Sequence, residues 1–203
     1  DADGRLTGSY VLQKLDFNEK EQSILIDILS ACFKNRRDFD SILSTSAKIA
    51  NDDQPTIVVD GANIMYYGTA QIVRTCYYRL DAALRELAEM GRVILVLHES
   101  HFENPLVKSG ELAKIVRDWK KKYIVQRTPR YSNDDMYSIL YAIAIGKCAK
   151  LVTNDKFCDH IYRLGAKVDG LDLMAQWREE NVIEYAYQYE PVGHNHVFQW
   201  HMP

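Results

Sequence analysis

Apolar positions along the 203-residue chain fall into two regimes that meet near residue 55. Between residues 18 and 50, Ile24, Leu25, Ile28, Leu29 and Cys32 recur at helical spacing, and Asn18 with Glu21 forms a capping pair ahead of them. A second helix starting at Asp38 turns Phe39, Ile42, Leu43 and Ile49 inward. Asn51-Asp52-Asp53-Gln54-Pro55 then reads as a polar linker. From Thr56 onward short apolar runs alternate with amphipathic ones. Residues 56–59 form a buried strand, and a helix of about 18 residues follows with Ile72, Cys76, Tyr77, Leu80, Leu84 and Leu87 inward and Gly91 as its stop. Residues 93–97 are continuously apolar, as in a central strand covered on both faces. A helix through Leu112, Ile115, Val116 and Trp119, a strand at 123–125, a helix capped by Asn133, a strand at 151–153 and a helix ending near Gly165 complete the alternation.

Strand and helix repeated in this way predict an α/β fold with a central parallel sheet and helices on both faces, a three-layer domain. Near the end, Ile183, Tyr185, Tyr187 and Tyr189 alternate and residues 196–201 look extended, which predicts an antiparallel pair packed beside the main domain. The expected organisation is a helical lead-in over 1–54, the α/β domain over 55–180 and a small antiparallel extension over 181–203. The tyrosine stripe at 185, 187 and 189 reads as core.

Composition narrows the class. Hydrophobic content of 47% with 26% charged residues is that of a globular domain. The longest apolar run falls far short of the roughly 20 residues a membrane helix needs. Four scattered cysteines without a CxxC pair fit a reducing, intracellular compartment. The chain opens Asp1-Ala2-Asp3 without a methionine and reads as a piece of a longer one. A net charge of −3 is a poor signature of a nucleic-acid binder. Setting aside Asp60, Asp134, Asp135, Asp155 and Asp159 leaves 23 acids against 25 bases, a balance of +2.

Those five acids carry the candidate chemistry. In an open parallel sheet, ligands bind beyond the carboxyl ends of the strands at the point where strand order reverses. The first strand ends in Asp60-Gly61-Ala62-Asn63, Asp134-Asp135 opens a helix after the third strand, and Asn154-Asp155 ends the fourth, with Asp159 four residues on. Converging carboxylates repel unless cations neutralise them, and hard oxygen ligands suit Mg²⁺ or Mn²⁺. One or two such ions act on a phosphodiester, one preparing a hydroxide for in-line attack and the other stabilising the leaving oxygen. Taken singly, Asp134 and Asp135 also suit a helix N-terminus, and Asp155 and Asp159 suit a turn and a helix surface. There is no GxGxxG after the first strand, no GxxxxGK[ST] and no GxSxG, so dinucleotide, P-loop and serine-hydrolase chemistries are not indicated.

The motifs IVVDGANI (57–64), SNDDMYSILYAI (132–143) and LVTNDKFCDH (151–160), in this order and followed by WHMP (200–203), resemble protein-only RNase P, a PIN/NYN-type metallonuclease that removes 5′ leaders from precursor tRNA. The resemblance implies a PIN/NYN-like fold and endoribonuclease activity leaving a 5′-phosphate and a 3′-hydroxyl. It implies that Asp60, Asp134, Asp135 and Asp155 are the catalytic and metal-binding aspartates, with Asp159 as a further metal-site acid. VDGAN alone is shared with regnase-like NYN nucleases acting on messenger RNA, and a catalytically silent RNA-binding module on the same fold is a third reading.

By resemblance the partner is precursor tRNA, with protein subunits or a separate pentatricopeptide-type RNA-binding region, and the compartment is the mitochondrion or the nucleus. His201 matches the family's zinc histidine but its cysteine partners are missing, so no zinc is expected in this chain. For RNA contact, Arg127 and Arg130 are phosphate candidates in the same loop as Tyr131, which with Tyr66 and Tyr67 flanks the site and offers rings for unpaired bases. Asn63 either orients Asp60 or bonds a phosphate oxygen. His160 either contacts the RNA backbone or packs within its helix.

Overall fold

The computed structural model describes residues 18–52, 54–158, 167–168, 171–191 and 195–203. Helices α1 (Glu19–Ser30) and α2 (Arg36–Ala50) are followed by strand β1 (Thr56–Asp60), helices α3 (Gly61–Tyr66) and α4 (Arg74–Met90) and strand β2 (Arg92–His98). Helix α5 (Glu99–Glu103), a 3₁₀ turn (Pro105–Val107) and α6 (Gly110–Lys122) lead to β3 (Ile124–Thr128), α7 (Asp134–Ile145) and β4 (Ala149–Val152). Strands β5 (Lys167–Val168) and β6 (Leu171–Asp172) pair with each other, and α8 (Leu173–Asn181), β7 (Val182–Glu190) and β8 (Asn195–His201) follow.

The main sheet has the order β3-β2-β1-β4-β7-β8. All pairs are parallel except β7 with β8, so the sheet is mixed, with one antiparallel edge strand. Chain order reverses between β1 and β4, which places the switch point there. Side chains alternate across the sheet. Val58, Ile94, Val96 and Leu151 face a core built with α1, α2, α7 and α8. Ile57, Val59, Val93, Leu95, Leu97 and Val152 face one built with α3, α4 and α6. Covering on both faces is why β1 and β2 read as unbroken apolar runs. The alternating pattern thus yields the expected three-layer α/β architecture.

Helix α1 joins this core rather than standing apart from it. The capping box of Asn18 and Glu21 forms, with Asn18 Oδ1 accepting from the main-chain N–H groups of Lys20 (3.0 Å) and Glu21 (3.1 Å). Leu25 and Leu29 are fully buried, each contributing about 1.5–3 kcal/mol. Gln22 Nε2 donates to the carbonyl of Ile143 in α7 at 2.7 Å.

Several expectations shift. Helix α2 starts at Arg36, capped by Asn35 rather than opened by Asp38, whose carboxylate accepts instead from the Tyr137 hydroxyl at 2.7 Å. Cys32 is exposed because α1 stops at Ser30, before the helical face reaches it. Strand β3 runs to Thr128, so Arg127 sits on a strand and not in a loop with Arg130 and Tyr131. The antiparallel pair is continuous with the main sheet, because Val182 and Ile183 pair parallel with Leu151 and Val152. Along the tyrosine stripe, Tyr185 is buried, whereas Tyr189 at the far end is exposed. The helix expected to end near Gly165 lies outside the described residues.

Candidate active site

Strand β1 delivers Asp60 to the switch point, and the turn into α3 depends on the glycine that follows. A Cβ on Gly61 would stand 2.7 Å from Leu95 Cδ1 and 3.0 Å from the Val96 carbonyl, so only glycine lets α3 start this close to β2. Asp60 is the N-cap of α3: its Oδ1 accepts from the Asn63 main-chain N–H at 3.0 Å. Its Oδ2 accepts from the Thr153 hydroxyl at 3.0 Å. The residue is only 3% exposed.

Burial pushes the Asp60 carboxyl up to about 7, and the neighbouring Asp135 and Asp134 charges push the same way, against the Asn63 and Thr153 hydrogen bonds. Asp134 and Asp135 reach this position from the first turn of α7, where Asn133 Oδ1 caps the Asp135 N–H at 2.9 Å. Asp134 also acts on Tyr66 and on the buried His101, whose imidazole burial holds below its usual range.

Asp155 connects to Asp60 through Thr153. The Thr153 O–H donates to Asp60, and its oxygen accepts from the Asp155 N–H at 3.1 Å. Asp155 Oδ1 is turned onto the Phe157 N–H at 2.8 Å, a bend that seats the fully buried Phe157 at a φ of 52°. Arg178 Nε donates to the Asp155 carbonyl at 3.4 Å, and the same guanidinium pairs with Glu184 on β7. Asp159 and His160 lie outside the described residues.

A second network locks the strand ends together. Asn63 Oδ1 accepts from the Asn154 main-chain N–H at 2.9 Å and from the Tyr185 hydroxyl at 2.8 Å. Asn154 in turn donates from Nδ2 to the Tyr185 carbonyl and accepts from the Tyr185 N–H, both at 2.8 Å. Asn63 thus works from inside, its N–H on Asp60 and its amide oxygen spent on the scaffold. Beneath α3, the buried Arg79 donates to the carbonyls of Ile64, Met65 and Tyr67 and stacks 4.4 Å from the Tyr187 ring. The sequence reading gives no site role to Thr153, Asn154, Tyr185 or Arg79, with Tyr185 read there as core. Thr153 and Asn154 carry the signal of standing directly before Asp155, and Tyr185 that of the alternating stripe.

The RNA candidates are differently placed. Arg127 lies over the Phe102 ring at 5.0 Å. Arg130 bonds Glu103 at 2.7 Å and pairs with Glu99 at 3.4 Å. Tyr131 is 95% exposed, and Tyr66 is exposed beside His101, with Tyr67 packed against Tyr185 and Tyr187.

The donor set fits a hard divalent cation. Asp60 is a buried carboxylate under the charge of Asp135 and Asp134, and its hydrogen-bond donors are an N–H and a hydroxyl rather than a base. Among the described residues no three His, Cys, Asp or Glu side chains are gathered closely enough to cage an ion. An incomplete cage is compatible with Mg²⁺, which takes few carboxylates and keeps its waters.

The sequence profile of the family described as Protein-only RNase P matches residues 10–202. The chain is 29% identical over 195 residues to Proteinaceous RNase P 2 of Arabidopsis thaliana, covering 90% of this chain and 35% of that protein. To Proteinaceous RNase P 3 of the same plant it is 30% identical over 135 residues, 64% of this chain and 22% of that one. The solved structure of nuclear proteinaceous RNase P 2 from A. thaliana superposes with a TM-score of 0.71 at 25% identity, over 92% of this chain and 37% of that one. The chain therefore spans only 22% to 37% of the length of these relatives. A family profile that runs from ahead of α1 through β8 takes in every element that carries the acids, and the chain belongs to the protein-only RNase P family.

Proposed function

We propose that this chain is the catalytic part of a metal-dependent endoribonuclease that removes the 5′ leader from precursor tRNA, leaving a 5′-phosphate on the tRNA and a 3′-hydroxyl on the leader. The observation that carries the reading is the buried Asp60, raised by the charges of Asp135 and Asp134, at the switch point of a sheet from this family. The work is assigned to the 55–180 unit, with 1–54 as its lead-in and 181–203 as its extension.

Asp60, Asp134, Asp135 and Asp155 would hold Mg²⁺ or Mn²⁺, one ion or two, with Asp159 as a further acid. When bound, such an ion supplies positive charge to the phosphodiester and makes a water a competent nucleophile near neutral pH. The chain's own residues set the geometry. Thr153 orients Asp60 and fixes the Asp155 backbone, and the Asn63–Asn154–Tyr185 network holds the ends of β1, β4 and β7 in one register. Arg127, Arg130 and Tyr131 are the proposed RNA contacts at the rim, Asn63 acts through the scaffold, and His160 is a candidate backbone contact. The partner is precursor tRNA, with a helical-repeat region or protein subunits supplying grip on the tRNA body, inside the cell in the nucleus or mitochondrion.

The test is cleavage of a precursor tRNA and of an unstructured RNA by the full-length protein with Mg²⁺. A single cut beside the acceptor stem, with the stated end groups, is the expected result. Scattered cuts in both RNAs would indicate a less selective NYN nuclease, and no cuts would leave an RNA-binding module.

A further inference from the structure

The turn that delivers Asp134 and Asp135 also walls a small pocket on the α1–α2 side of the molecule. It has a volume of about 220 Å³ and lies between the 32–35 turn and the 131–137 segment. This is below the roughly 300–1,000 Å³ of pockets for drug-sized ligands and suits one planar group. Its lining is aromatic on one side. The Phe33 and Tyr137 rings stand 4.9 Å apart, Phe39 backs Phe33 at 5.4 Å, and the Tyr137 hydroxyl is tied to Asp38. Lys34 and Ser132 supply a polar rim with one positive charge.

Tyr131 at the mouth is the unusual member. It is 95% exposed, so its ring gains nothing from the core, and its φ of 65° puts a bulky residue in the left-handed region. Strain of this kind concentrates at ligand clamps. A large exposed ring, an aromatic lining and a lysine, on the turn that leads into Asp134 and Asp135, match an unpaired nucleotide. The base stacks on rings and its phosphate meets the ammonium.

We propose that this pocket takes one unpaired base of the RNA leader, next to the bond that the Asp60–Asp135 cluster cuts, with Tyr131 stacked on it over the Phe33–Tyr137 floor. The proposal rests on the nuclease reading above, since it assigns the leader as ligand. In a precursor tRNA the leader arrives unpaired at the cleavage point, so it presents a base without breaking a pair.

The experiment is a cycle on the full-length protein with precursor tRNAs carrying one abasic leader position at a time. Binding is measured with Ca²⁺ and single-turnover cleavage with Mg²⁺. At one leader position the abasic substitution should weaken wild-type binding about tenfold. Tyr131→Ala should cause the same loss on the intact RNA and no further loss on that abasic RNA. Tyr131→Phe, which keeps the ring, should restore dependence on the base. Losses that multiply at every position, or intact-RNA binding untouched by Tyr131→Ala as for a protein-docking pocket, would overturn the pocket assignment alone. Failure of the wild type to cut unmodified precursor would instead count against the nuclease reading, with the binding cycle still deciding the pocket.

Discussion

The Thr153 hydroxyl stands 3.0 Å from Asp60 Oδ2 and joins the ends of β1 and β4 across the switch point of the sheet. Because the same oxygen accepts the Asp155 N–H, one side chain sets two of the five candidate acids. Thr153→Val keeps the shape and removes the hydrogen bond. Loss of a bond to a charged group costs roughly 1.5–3 kcal/mol, so cleavage should fall about tenfold or more and require more Mg²⁺, while Thr153→Ser stays close to wild type. An unchanged Mg²⁺ titration for the valine variant would mean that Thr153 serves packing alone.

Asp135 is the charge that most raises Asp60 after burial itself. Asp135→Asn should cut the cleavage rate by about 10²-fold or more, the scale seen when an electrostatic stabiliser is lost, and leave RNA binding largely intact. Excess Mg²⁺ or Mn²⁺ should recover part of the rate. Near-normal cleavage by the variant, or activity surviving chelation, would make the carboxylate cluster structural.

Gly61 leaves no room for a side chain against Leu95 and the Val96 carbonyl. Gly61→Ala should destabilise the chain by about 1–3 kcal/mol, as overpacking does, seen as a lower melting temperature. A variant melting with the wild type would show that α3 shifts freely away from β2.

Burial, followed by the Arg79 charge, holds the His196 imidazole below its ordinary value of 6.5. The unfolded chain therefore takes the proton first. The neutral ring costs nothing above pH 6.5, and stability falls as pH drops through 6.5 toward the lowered native value. His196 accepts or donates at 2.9 Å to the Tyr187 hydroxyl, so the hairpin should loosen first. Denaturation at pH 7.5 and 5.5, followed by Trp200 fluorescence, should show this slope, and His196→Gln should flatten it. Equal slopes in the two proteins would refute the assignment.

Arg130 is paired with Glu99 and Glu103, and Arg127 lies over Phe102, so neither guanidinium is simply free for phosphate. If RNA displaces these partners, replacing both arginines by alanine should weaken binding and flatten the salt dependence, by up to about 0.7–0.9 in logarithmic slope per lost contact. An identical slope would show that the pairs are structural.

Much of the architecture was legible in the chain because it is written in local periodicity. The unbroken apolar run at Ile57, Val58 and Val59, helical spacing at Leu112, Ile115, Val116 and Trp119, and the Asn18 capping box are each patterns of residues a few positions apart. The rule that ligands gather at strand ends then singled out Asp60, Asp134 and Asp155, and the structure places Asp60 under the combined charge of Asp134 and Asp135.

What the sequence could not show are relationships between residues far apart. That Thr153 orients Asp60, that Asn63 spends its amide on Asn154 and Tyr185, and that Arg130 is already paired depend on separations of 93, 91 and 122, and 27 and 31 residues. No periodicity encodes such pairings. Strand order is equally nonlocal: whether β7 joins β4 or stands apart is decided by which apolar face must be covered once the helices have packed. Local pattern determined the elements and the ends where chemistry gathers, and only tertiary packing decided which polar groups face one another, because a hydrogen bond is set by position in space and carries no period along the chain.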